Sequence, residues 1–181
     1  YGYPNRVNNS VNIIGNRIIP AGGTYMHGLE VSFDNSGDTI DKIMIANNTF
    51  ESDLSSVYIH ADVGTTNNLL NNLVFDSNHF IVSGDAPVIQ MAAIGEITYN
   101  NVIFNGGRMV SPLYGVSITA KSGSKNIYLN DVVIEATSNL PINVTDKFLN
   151  LFVKNCHIKS GSYINASCTG NVTLQNNTLE D

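Results

Sequence analysis

The chain of 181 residues reads as an all-β protein wound into a parallel β-helix, a single-stranded solenoid of about seven coils, and three observations predict it. An eight-residue pattern returns seven times without internal gaps. Asparagine is unusually abundant, at 26 residues of 181. Helical periodicity is missing: no 11-residue window carries clean helical spacing, and the chain has only five glutamates.

The copies span residues 11–18 (VNIIGNRI), 43–50 (IMIANNTF), 73–80 (LVFDSNHF), 102–109 (VIFNGGRM), 127–134 (IYLNDVVI), 151–158 (LFVKNCHI) and 172–179 (VTLQNNTL). Positions one, three and eight are apolar in all of them. With 43% of residues apolar, chance alone gives such agreement with a probability of roughly 10⁻⁸ before allowing for the choice of starting points. The starts are separated by 32, 30, 29, 25, 24 and 21 residues. Ankyrin and tetratricopeptide arrays have similar periods but demand helices, and the regular leucines of leucine-rich repeats are not found. A β-helix remains.

Side chains alternate along a strand, so positions one and three point inward while two and four point outward. Positions five and six hold Gly, Asn, Ser or Asp in most copies, residues that accept φ > 0, and the strand is expected to bend there before position eight re-enters the core. Asn16, Asn48 and Asn78 share a column on successive coils and are expected to stack as a partial amide ladder, which Val132 and Cys156 interrupt. A third strand per coil is predicted at 28–33, 56–63, 87–93, 114–120, 140–144 and 162–166, with Val57, Ile59, Ala61, Val116, Ile118 and Ala120 facing the core. The longest connecting loops belong to the N-terminal half.

Residues 1–181 are expected to form a single domain. Because the outermost copies have no obvious polar cap, which solenoids need for solubility, the chain is read as a piece of a longer protein. A net charge of −6 with nine Lys and Arg argues against nucleic acid and an anionic membrane. Cys156 and Cys168 fit no metal spacing and no disulfide framework; two unpaired, mostly buried thiols are expected, with a bond between neighbouring coils as the alternative. No apolar run reaches transmembrane length, and no stretch of the chain is read as a signal peptide. Neither metal nor cofactor is expected. Six Asn-x-Ser/Thr sequons, several in strand bends, are not read as glycosylated.

The pattern hydrophobic–x–hydrophobic–x–Asn/Gly–Asn–x–hydrophobic in 43–50, 73–80 and 172–179 resembles the coils of pectate-lyase-like right-handed parallel β-helices, especially the shafts of bacteriophage tailspikes and neck or tail appendages. The resemblance covers nearly the whole chain and implies a right-handed coil. It also implies a virion-borne or extracellular homotrimer that binds a host cell-surface polysaccharide, with glycan depolymerisation as an added activity. The motifs of polygalacturonases (Asn-Thr-Asp, Asp-Asp, Gly-His-Gly, Arg-Ile-Lys) and the calcium-binding carboxylates of pectate lyases are not found. A secreted bacterial polysaccharide lyase or glycoside hydrolase of this fold is the alternative, and a structural spacer or adhesin passenger without a ligand is the next.

Glycoside cleavage usually needs two carboxylates. Glu30 and Asp62, with His60 beside Asp62, are the catalytic candidates on the outward side of the third strands; the competing reading is an ordinary acidic surface. Tyr58, Gln90, Ser117 and Thr119 on neighbouring coils suit a sugar-binding groove, since sugars stack on aromatic rings and hydrogen-bond to amides and hydroxyls; a plain polar β surface is the alternative. His79 and Arg108, with Arg17 and His157 further along the column, form either a small anion-binding strip or a solvated face. Outward position two carries Met44, Val74, Ile103, Tyr128 and Phe152 on five consecutive coils. Such an apolar stripe normally meets a partner. It is read as the seam of a trimer, with a covering loop or another domain as the alternative.

Overall fold

The computed structural model describes residues 7–8, 10–19, 27–92, 94–119, 123–137, 140–145, 148–159, 164–166 and 170–180. Every regular element among them is a strand, and every strand pairing is parallel. The chain is a β-solenoid with three walls.

The first sheet contains Val7–Asn8, Val11–Ile14, Thr39–Ala46, Asn68–Asp76, Ile97–Asn105, Asn126–Asn130, Asn150–Lys154 and Asn171–Gln175. The second contains Arg17–Ile18, Thr49–Ser52, His79–Val82, Arg108–Ser111, Val133–Ala136, His157–Lys159 and Thr178–Glu180. The third is Leu29–Phe33, Val57–Ala61, Ile89–Met91, Val116–Thr119, Ile142–Thr145 and Ile164–Ala166. Each eight-residue copy supplies one strand to the first wall and the start of one strand to the second. The segment between copies supplies the third.

The register is the one the repeat predicts. Position one runs Val11, Ile43, Leu73, Val102, Ile127, Leu151, Val172 without a slip, and position eight runs Ile18, Phe50, Phe80, Met109, Ile134, Ile158, Leu179. A one-residue slip would turn each strand's apolar set to solvent, so the core itself holds the register. Phe75 and Phe104 stack at 4.6 Å, and Phe50 and Phe80 at 5.0 Å. All four are buried, each contributing on the order of 1.5–3 kcal/mol by leaving water.

Seven copies do not make seven closed coils; the solenoid has about 5 turns. From Ile43 to Leu151 the position-one residues are buried, whereas Val11 and Val172 on the outermost copies are exposed. Among the described residues those two copies pair on one side only, so their inward side chains meet core on that side alone.

The bend is narrower than expected. Position five, and not five and six together, takes the left-handed backbone: Gly15, Asn47, Ser77, Gly106, Asp131, Asn155 and Asn176 all have φ between 53° and 70°. Position six adopts positive φ only at Gly107. There a Cβ would lie 2.4 Å from the Asn78 carbonyl oxygen, so no asparagine fits and the corner ladder ends. Before that point the ladder forms as predicted. Asn78 Oδ1 accepts from the Asn48 backbone and side-chain amides at 3.0 and 3.1 Å, and Asn78 Nδ2 donates to the Ile45 carbonyl at 2.7 Å. Val132 and Cys156 fill the same corner with apolar bulk. The Cys156 thiol is free, and burial pushes its pKa up. Cys168 and Ala120 lie outside the described residues.

Asn78→Ala should therefore cost about 3 kcal/mol in denaturant unfolding, since it strands the buried Asn48 amides and the Ile45 carbonyl on the preceding coil. Asn72→Ala, whose amide is half-exposed, should cost under about 1 kcal/mol.

Candidate functional site

Each wall has its own outward face, and the three differ in chemistry. On the third sheet, alternation sends Leu29, Val57, Ile89, Val116 and Ile142 inward and sets Glu30, Tyr58, Gln90, Ser117, Asn143 and Asn165 in one outward column. Successive members are one strand apart, about 4.8 Å. The next outward column contains Ser32, His60, Thr119 and Thr145, the two threonine hydroxyls lying 3.1 Å apart.

Four side chains gather at the N-terminal end of this face. His60 Nε2 lies 2.7 Å from Glu30 Oε1. An ionised carboxylate only accepts, so Nε2 carries the proton in that bond, and Nδ1 is buried without a partner. Tyr58 stacks on His60 at 4.8 Å and on His27 at 4.5 Å. Burial, and then the Glu30 charge, push the Tyr58 phenol up from its ordinary pKa, so it remains a donor. Gln90 accepts from Ser55 Oγ at 3.0 Å.

The sequence-predicted residues divide. Glu30, Tyr58 and His60 are brought together, and Gln90, Ser117 and Thr119 extend the same face. Asp62 is not part of the group. Glu30 faces Tyr58 across the pair of strands, and Asp62 lies four residues beyond Tyr58, about 13 Å along the strand. Its carboxylate and that of Glu30 do not flank a common point, and His60 takes the place expected for the second acid. His27, which precedes the strand Leu29–Phe33, joins through its stack on Tyr58, a contact that side-chain placement and not strand register creates.

The second sheet is a face of ion pairs. Arg17 reaches Glu51 at 3.0 Å, Arg108 forks onto Glu135 at 2.9 and 2.8 Å, and His157 and Lys159 approach Glu180 at 3.4 and 3.9 Å. The strip of Arg17, His79, Arg108 and His157 is one column in register, yet both guanidiniums are committed to glutamates on the next coil. The Arg108 hydrogen bond holds the Glu135 carboxyl below its usual range. A groove of about 260 Å³ beside Arg17's partner is lined by Ile19, Glu51, Ser52, Asp53, Ile81 and Ser83.

The first sheet carries the predicted stripe. Met44, Val74, Ile103, Tyr128 and Phe152 stand in unbroken register, each half-buried, and the last two rings stack at 4.9 Å. Beside it runs a ladder the sequence reading missed: Asn72, Asn101, Asn126, Asn150 and Asn171, each Nδ2 donating to the preceding Oδ1 at 2.9–3.4 Å. Its signal was legible, since asparagine precedes position one in five of the seven copies.

Comparison of the chain with protein-family models, with curated proteins and with solved structures finds no match in any of the three.

Because the Arg108–Glu135 pair is solvent-screened, Glu135→Gln should cost at most about 1 kcal/mol at neutral pH. A lowered carboxyl pKa gives stability that is present above the unfolded value and lost as pH falls through the folded one. The difference between wild type and Glu135→Gln in urea unfolding should accordingly vanish in acid.

Proposed function

We propose that this solenoid is a shaft segment of a phage or phage-like receptor-binding appendage, outside the cell or on the virion, which adheres to a host cell-surface polysaccharide. The observation that carries the reading is the unbroken column Glu30, Tyr58, Gln90, Ser117, Asn143, Asn165. It offers hydrogen-bonding side chains at a repeat close to the length of one pyranose along an extended glycan. Amides, hydroxyls and a phenol are the groups that match sugar hydroxyls in both donor and acceptor roles. The pattern's resemblance to pectate-lyase-like tailspike coils supports the same reading.

The stripe on the first sheet supports the appendage architecture. Five apolar side chains over about 20 Å, flanked by amides that satisfy one another, suit a seam between three copies of the chain packed side by side. Interface centres are depleted of charge and enriched in Met and aromatics, and this column is both.

A second reading, a secreted polysaccharide lyase or hydrolase, is favoured by the Glu30–His60 contact, in which a half-exposed carboxylate and an imidazole meet at 2.7 Å on the outward face. Shortening of a bound polysaccharide by the wild-type chain, lost in Glu30→Gln, would put this reading ahead of adhesion.

Tyr58→Ala should weaken binding of the cognate polysaccharide by about tenfold, or ~1.4 kcal/mol, in titration calorimetry while leaving the strand signal in circular dichroism intact. Ile103→Lys should convert a trimer to a monomer in light scattering; a wild-type chain that is already a monodisperse monomer contradicts the seam.

A further inference from the structure

Resting on the glycan-binding reading above, we infer that Tyr58 meets a bound polysaccharide through its phenol O–H and not through its ring, and that His27 and His60 are positioning residues that close both ring faces to sugar. From the sequence, an outward tyrosine reads as a platform for the apolar face of a sugar. The geometry assigns it another role. The imidazole of His27 lies 4.5 Å from the Tyr58 ring at an interplanar angle of 20°, and that of His60 lies 4.8 Å away at 24°. Both separations are those of stacked aromatic pairs. His60 follows Tyr58 by two residues on the same strand, whereas His27 comes before the neighbouring strand Leu29–Phe33, whose Glu30 stands opposite Tyr58. The two imidazoles thus approach from opposite directions along the strand and take opposite faces of the phenol. Among the described residues no ring contact joins them to each other.

Both imidazoles are tethered. His60 Nε2 donates to Glu30 Oε1 at 2.7 Å, and His27 Nδ1 donates to the Ser55 carbonyl at 3.4 Å. A sugar laid flat on Tyr58 has to displace one of these rings and break its hydrogen bond, which offsets what stacking contributes. The phenol is left with its edge and its hydroxyl. Among the described residues that hydroxyl has no hydrogen-bond partner. Burial, and then the Glu30 charge, raise its pKa, so it stays a donor. The column continues as Gln90, Ser117, Asn143 and Asn165 with no further ring, and the chain has no Trp. The contact at Tyr58 therefore selects for an acceptor oxygen on the polymer, whether hydroxyl, ring or acyl oxygen, and not for a sugar with a bare C–H face.

The test uses the full chain and a panel of purified bacterial capsular polysaccharides and O-antigen chains, of which the polymer held most tightly by the wild type is the probe in titration calorimetry. Tyr58→Phe keeps the ring and both stacks and removes only the hydroxyl. It should weaken binding about tenfold, as much as Tyr58→Ala does. Wild-type affinity in Tyr58→Phe overturns the inference while leaving glycan binding intact; a loss confined to Tyr58→Ala assigns the contact to the ring, and no loss in either removes Tyr58 from the contact. His27→Ala uncovers one face and should weaken binding several-fold. His27→Phe keeps a ring there but lacks the nitrogen that bonds Ser55, and it should restore wild-type affinity. Loss in both His27 variants, or in neither, overturns the positioning role. A wild-type chain that binds no polymer of the panel overturns the glycan reading itself, and this inference with it.

Discussion

One left-handed residue per coil turns the chain out of the first wall and into the second, and the positions of all other side chains follow from that corner. An L-residue other than Gly enters this conformation at a cost of roughly 1–2 kcal/mol, lowest for Asn and Asp, whose short polar side chains hydrogen-bond locally. The chain meets the requirement with Gly twice and with Asn, Ser or Asp five times. Because the corner falls at the same place in every copy, positions one and three always meet the core before it and position eight always meets it after. The stacked phenylalanines, the corner amides and the outward columns are then aligned by the register between neighbouring coils.

The fold was largely legible because a solenoid repeats its instructions. A single apolar residue at position three says little; Ile13, Ile45, Phe75, Phe104, Leu129, Val153 and Leu174 in one column define a wall. The number of closed turns was less legible, since copy number counts rungs, and the exposed Val11 and Val172 show that a rung at either end closes nothing by itself. The bend was read too broadly because Asn48 and Asn78 at position six are there for their buried amides, a different reason from the positive φ of Asn47 and Ser77 beside them.

The candidate site was legible in part for a related reason. Outward residues within one strand, such as Tyr58 and His60, follow from alternation, and so does their stacking. Contacts between coils depend on loop lengths that propensity does not supply. The offset of four residues between Tyr58 and Asp62 separates an acid pair that looked close in the sequence. The same register sets Glu30 diagonally across from His60, within 2.7 Å, and His27 reaches Tyr58 from the loop before the strand. The outer asparagine ladder went unnoticed because it lies one position outside the eight-residue unit, where no apolar residue draws attention.

The starts of successive copies draw closer, from 32 to 21 residues, while the strand pairing never slips. Part of that shortening falls in the first wall, whose strands drop from nine residues at Asn68–Asp76 and Ile97–Asn105 to five at Asn126–Asn130, Asn150–Lys154 and Asn171–Gln175, and the rest is absorbed in loops. Each rung is bonded only to the rung before and the rung after, so a change in one outward side chain is not propagated down the rod. The outer columns can then be rewritten coil by coil while the inward ones stay constrained. A lineage built on such a rod can change the chemistry of its outer faces by surface substitution alone, or lengthen the rod by duplicating a coil, without having to solve the folding problem again.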